Sequence, residues 1–161
     1  MPHMYEKQQL IENSIILIEG LKALNTPFII TEQYRKGLGS TVTEISNLFP
    51  VFNPLEKVSF SCCDDLAINR ILTESGRQSV VICGIESHVC VLQTAIDLKE
   101  KNIIPVVITD CISSRKLHDR QMAIERMKQE GIMLASYESI LFELCRFAGT
   151  DQFRTISKLV K

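Results

Sequence analysis

A cysteine that follows an apolar strand and opens a helix is the residue in this chain best placed for covalent chemistry. The stretch Gly84-Ile85-Glu86-Ser87-His88-Val89-Cys90-Val91 supplies it. Unpaired N–H groups and the dipole at a helix N-terminus stabilise a thiolate. The same donors can hold an oxyanion. The other cysteines, Cys62, Cys63, Cys83, Cys111 and Cys145, make no CxxC pair and no regular framework. A domain of this size does not need disulfides, so reduced thiols and a cytoplasmic setting are expected. Those five read as small buried hydrophobes. Cys62 and Cys63 lie near the site by position, but adjacent cysteines rarely bridge cleanly. His3, His88 and His118 are too dispersed for a metal site, and no cofactor is expected.

The elements that must position these residues alternate along the chain. A helix is expected over residues 5–24, with Ile11, Ile15 and Ile18 on one face. Phe28-Ile29-Ile30-Thr31 suits a buried strand. Residues 32–55 are loop-like around Gly37 and Gly39, with a short helix from Thr41 to Leu48. Lys57-Val58-Ser59-Phe60 reads as a strand. Asp64 can cap a helix running to Ser75. Ser79 to Cys83 is the clearest strand, followed by a helix from His88 to Glu100. Ile104 to Ile108 and Ile132 to Ala135 are further strands, separated by a charged helix over 116–130 that Gly131 stops. Ser136 can cap one more helix, and Thr150 or Asp151 the last.

Five apolar strands separated by helices imply an α/β fold with a parallel sheet covered on both faces. Ligands in such sheets bind beyond the carboxyl ends of the strands. That rule directs attention to Glu32, Ser61, Glu86 to Cys90, and Asp110 to Arg115. The 161 residues carry no repeat or linker, so a single domain over 1–161 is expected. With 18 basic and 19 acidic residues scattered along it, the chain has a formal charge of −1. It presents no basic footprint for nucleic acid. No apolar run is long enough to span a bilayer.

The cysteine stretch resembles the nucleophile motif of the isochorismatase-like cysteine hydrolases. Lys57-x-x-Phe60-Ser61 is similar to the catalytic-lysine motif of that family. Thr31-Glu32-Gln33-Tyr34 with Gly37-Leu38-Gly39, and Asp110-Cys111-Ile112-Ser113-Ser114-Arg115, resemble the isochorismatase-domain-containing branch. The resemblance runs from about Glu12 to Lys161 and implies a three-layer α/β/α fold with strand order 3-2-1-4-5-6. It implies Cys90 as nucleophile and Lys57 as the cation that stabilises its thiolate. The backbone N–H groups of Glu86 and Cys90 become the oxyanion donors, beside a cis peptide between Ile85 and Glu86. Glu32, Tyr34, Ser61, Ser87 and His88 become pocket candidates. The implied activity is hydrolysis of a C–N bond in a small amide-like substrate.

Two departures modify that expectation. Residues 32–40 contain no histidine, so the metal cluster of the nicotinamidases is not expected. The family's general-base Asp ends a first strand, and no strand precedes the helix expected from residue 5. The first, central strand is therefore expected to be missing from this chain, with a native segment of about 15 residues, one strand and a short loop, upstream. Its loss removes the base, so this chain is expected to be inactive as a hydrolase, and it opens the middle of the sheet. Unpaired backbone groups there cost about 1 to 3 kcal/mol each, enough to prevent independent folding. A non-catalytic scaffold or binding protein is the alternative reading, and thiol redox chemistry a third. Association into a homo-oligomer is expected, with Phe147 and Phe153 as the exposed apolar surface.

Overall fold

Alternation within one long strand explains the layering. The computed structural model of the protein describes residues 3–161. Strand β4, as numbered below, runs Ile104–Ser113. Its Val106 and Ile108 enter one core with Leu17 and Leu21, Ile140 and Leu141, and Ile156. Its Val107 and Ile112 enter another with Leu92, Ala95, Ala123 and Met127. Successive strand side chains point to opposite faces, and a register irregularity between the Val107 and Ile112 pairings brings Ile112 round to the Val107 side, so both faces of β4 are buried between helices. Helices α1 (Lys7–Ala23), α7 (Tyr137–Cys145) and α8 (Asp151–Leu159) form one layer. Helices α5 (Leu92–Glu100) and α6 (Leu117–Gln129) form the other. A third cluster packs α4 (Leu66–Glu74) through Ile68 and Leu72 against Leu98.

The five strands are all parallel, and they form two sheets. β1 (Thr31–Gln33) pairs with β2 (Leu55–Lys57), in register Thr31 to Leu55. β3 (Ser79–Ile85) pairs with β4, and β4 with β5 (Met133–Ala135). No ladder joins β1 to β3, so the continuous order expected from the resemblance is interrupted between them. The two sheets share helical cores instead: Phe28 and Val81 both pack on the α1 core, and Leu55, Val80 and Ile82 all pack on the cluster of Ile68, Leu72 and Leu98. Cys83 in mid-β3 is exposed to solvent, yet desolvation by the surrounding protein pushes its thiol up to about 11.

Several boundaries differ from the sequence expectation, each for a local reason. The residues 28–30 run ahead of the paired strand, because β2 lies alongside only from Thr31 onward. β2 ends at Lys57 instead of Phe60, because the Ser59 and Phe60 carbonyls turn back onto Lys57 Nζ. Asp65, not Asp64, caps α4, accepting from the N–H groups of Ala67 and Ile68 at 3.0 and 3.1 Å. Asp64 instead ends a 3-10 turn, Cys62–Asp64. The short helix region holds α2 (Arg35–Leu38) and α3 (Thr43–Ser46). Ser136 and Thr150 cap α7 and α8 as their positions suggest. Phe153 is half-buried against Phe142, their ring centroids 6.1 Å apart, so only Phe147 of the expected apolar pair is exposed.

Candidate active site

Lys57 closes β2 and is buried, with 4% of its surface exposed. Its Nζ donates to Gln33 Oε1 at 2.6 Å, to the Phe60 carbonyl at 2.7 Å and to the Ser59 carbonyl at 2.8 Å. Those three acceptors use all three ammonium donors. None of them is charged, and among the described residues no ion pair involves Lys57. A buried cation held only by neutral oxygens carries an uncompensated desolvation cost.

Gln33 closes β1, in register with Lys57. Its Nε2 donates to the Val58 carbonyl at 2.7 Å, which fixes the amide with its oxygen toward Lys57. Cys90 Sγ lies 3.9 Å from the same Oε1. The Gln33 amide oxygen is thus the point at which Lys57 and Cys90 meet. Cys90 itself sits in a π-helical turn, Ser87–Val91, that feeds into α5. The N–H groups of Val89 and Val91 both donate to the Glu86 carbonyl at 3.2 Å. The Ile85–Glu86 peptide bond is cis.

The electrostatics of Cys90 combine opposing effects. Burial raises its thiol pKa most strongly, and the nearby Lys57 charge lowers it. Cys62 raises it further, while the Glu86 backbone hydrogen bond and contact with Lys57 lower it. Desolvation prevails, so the thiol stands above its ordinary 9.0. Among the described residues, the charged or titratable groups acting on it are Lys57 and Cys62, neither of them a carboxylate.

The other residues singled out from sequence are distributed around this centre. Ser61 is buried and accepts from the Cys63 N–H at 3.1 Å, anchoring the 3-10 turn. Ser87 is fully buried and its Oγ has no partner. His88 Nδ1 lies 2.9 Å from Ser114 Oγ, and Glu86 pairs with Arg115 Nε at 3.0 Å. Glu32 is buried, but it accepts from the Thr41 N–H at 2.7 Å and faces Arg35 at 3.5 Å, away from Cys90. Tyr34 is half exposed beside Gly37 and does not join the site. The structure adds residues that sequence reasoning had not assigned: Gln33, Thr31, whose Oγ1 is 4.0 Å from Cys62 Sγ, and Thr94, whose Oγ1 accepts from the Cys62 N–H at 3.0 Å. Strand alternation was the available signal for Gln33, because it must face opposite Glu32.

Two surface hollows lie elsewhere. One, beside Gln9, Asn13, Asp110 and Arg120, is crossed by internal bonds such as Asn13 Nδ2 to the Asp110 carbonyl at 2.8 Å. The other is lined by Cys63, Asp64, Asp97 and Glu100. Neither is lined by Lys57 or Cys90. Among the described residues, no group of three His, Cys, Asp or Glu side chains is arranged to hold a metal. No described helix is long and apolar enough to cross a membrane.

Residues 1–139 match the family described as the isochorismatase domain. The chain belongs to the isochorismatase family. It is 40% identical to the secreted isochorismatase effector Isc1 of Phytophthora sojae, over 98% of this chain and 77% of that protein. It is 34% identical to isochorismatase domain-containing protein 2 of Danio rerio, over 99% of this chain and 80% of the relative. The structure of MAR1 ribonuclease from Caenorhabditis elegans superposes with a TM-score of 0.90 at 34% identity, covering 99% of this chain and 82% of that one. Membership accounts for the parallel strands and the flanking helices, which this family shares.

Proposed function

We propose that the isochorismatase fold here presents a cysteine-centred acyl-transfer site for the C–N bond of a small amide-like molecule, and that its turnover is low. The observation that carries this reading is the convergence of Lys57 Nζ and Cys90 Sγ on Gln33 Oε1, at 2.6 and 3.9 Å. In the productive step the Cys90 thiolate attacks the substrate carbonyl carbon. The oxyanion develops against the backbone N–H groups of Glu86 and Cys90. The oxyanion collapses, the C–N bond breaks and the amine leaves with a proton drawn from solvent; water then adds to the thioester, the C–S bond breaks, and the carboxylic acid and the Cys90 thiol are released.

Low turnover follows from the proton inventory. Gln33 is an amide and cannot take the thiol proton. Among the described residues no carboxylate acts on Cys90, and burial holds the thiol above its ordinary range. Activation then rests on the Lys57 charge and the start of α5. Lack of a general base costs about 10² to 10⁴ in rate. The same facts support the second reading, a binding protein that keeps the fold without turnover. The relative named as a ribonuclease makes RNA a substrate to test. The net charge of −1 and scattered basic residues favour a small neutral substrate instead.

The test is turnover of primary amides, N-carbamoyl amino acids, isochorismate and a short RNA by the native chain and by Cys90→Ala. Slow amide hydrolysis that Cys90→Ala abolishes, with a thioester trapped on Cys90, supports the proposal. Amide hydrolysis unchanged in Cys90→Ala overturns it. Saturable amide binding without thioester formation selects the binding reading, and RNA cleavage without amide turnover replaces the substrate class.

A further inference from the structure

Cys62 is the thiol that the site above leaves without a role. It follows Ser61 at the start of the 3-10 turn and is partly exposed, as is Cys90. Two independent anchors set it beside Cys90. On β1, Cys62 Sγ lies 4.0 Å from Thr31 Oγ1, and Cys90 Sγ lies 3.9 Å from Gln33 Oε1. Thr31 and Gln33 alternate with Glu32, so they share one face, roughly 6.6 Å apart along the strand. On α5, the Cys62 N–H donates to Thr94 Oγ1 at 3.0 Å. Thr94 is one helical turn past Cys90, about 5 to 6 Å away between Cβ atoms. The two sulfurs therefore hang over the same strand face from neighbouring turns. Their proximity also registers electrically, since Cys62 is among the groups that raise the Cys90 pKa.

The remaining thiols are set apart. Cys63 is buried with Ile68, Leu72 and Leu98, and burial pushes it up to about 11. Cys83 lies within β3, and Cys111 is fully buried in β4. Cys145 lies at the end of α7, against the Phe147 carbonyl. A bridge between Cys62 and Cys63 would need the strained geometry of adjacent residues.

We propose that Cys62 is the resolving thiol for Cys90, so that hydrogen peroxide closes a Cys62–Cys90 disulfide across the site. First, the Cys90 thiolate attacks the peroxide: the O–O bond breaks, an S–O bond forms, and hydroxide leaves. The sulfur loses two electrons and the peroxide gains them. The Cys62 thiolate then attacks the Cys90 sulfur. The S–S bond forms, the S–O bond breaks, and the departing hydroxide takes up a proton to become water. A dithiol reductant reverses the bridge by exchange. The bridge removes the nucleophile and fixes the turn bearing Ser61 against α5. Nothing in this chemistry requires the hydrolytic activity, so the two proposals stand or fall separately.

The experiment treats the folded native chain with hydrogen peroxide, with and without dimedone, and reads intact mass and fragment ions. The native chain, Cys63→Ser and Cys83→Ser each lose two hydrogens and carry a cross-link between residues 62 and 90. Cys62→Ser shows no such loss and instead accumulates a dimedone adduct on Cys90, which also shows that its site is intact. Cys90→Ser shows neither. Retention of the cross-link mass in Cys62→Ser overturns the proposal. So does a native chain in which Cys90 passes directly to sulfinic acid.

Discussion

Lys57 directs three protons at three neutral oxygens, and its charge opposes the burial that raises the Cys90 thiol. Two measurable consequences follow at the level of single residues. Because burial lifts the Cys90 thiol above 9.0, its thiolate fraction at neutral pH is small and grows as pH rises. Alkylation of Cys90 by iodoacetamide should therefore accelerate steadily through pH 9, without the neutral plateau of an activated cysteine; site-resolved mass spectrometry at a series of pH values checks this. Removing the cation should push the profile further up. In Lys57→Met, loss of one favourable charge contact of about 1.4 kcal/mol corresponds to about one pKa unit, hence about tenfold slower alkylation at pH 8. An unchanged rate would mean that Lys57 does not act on the sulfur. Lys57 and Cys90 were legible in the sequence because each sits in a distinctive local string. Gln33 was harder to assign, since it lies in a string, Thr31-Glu32-Gln33-Tyr34, that does not mark which residue acts, and its role arises only when β1, β2 and the π-turn converge.

At the scale of elements, side-chain oxygens decide where the chain turns. Helices α1 and α6 follow the apolar period, and α7 and α8 follow the capping residues Ser136 and Thr150, because both signals are local. The strands near the site do not, because their ends depend on partners remote in sequence. β2 stops where its following carbonyls bend round Lys57, and the helix expected from His88 begins with a π-turn. The start of α4 offers a test. Asp65 accepts two backbone N–H groups at 3.0 and 3.1 Å, while Asp64 is exposed in the preceding turn. Asp65→Ala should cost about 1 kcal/mol in urea unfolding, and Asp64→Ala only a few tenths. Equal effects would contradict the assignment of the cap.

For the whole molecule, the decisive feature is the interruption between the two sheets. The Ile104 N–H donates to the Gln78 carbonyl at 2.8 Å, so the ladder fixes which β3 groups face β4. In a parallel pair, a residue's N–H and C=O point to the same side and alternate residues point opposite ways. Val80 and Ile82 therefore direct their N–H groups to β4, while Val81 and Cys83 direct theirs to the free edge. Likewise the Leu55 N–H donates to the Ile30 carbonyl, which leaves the Thr31 and Gln33 backbone facing away from β2. Edges of this kind are open to solvent or to another strand. Native-state hydrogen exchange should show the alternation directly: Val80 and Ile82 protected, Val81 and Cys83 exchanging at least about tenfold faster. The contrast should persist at micromolar protein concentration and vanish if an added strand pairs with β3. Uniform protection along β3 in the dilute native chain would show the edge to be paired, and the interruption would then be no property of the molecule in solution.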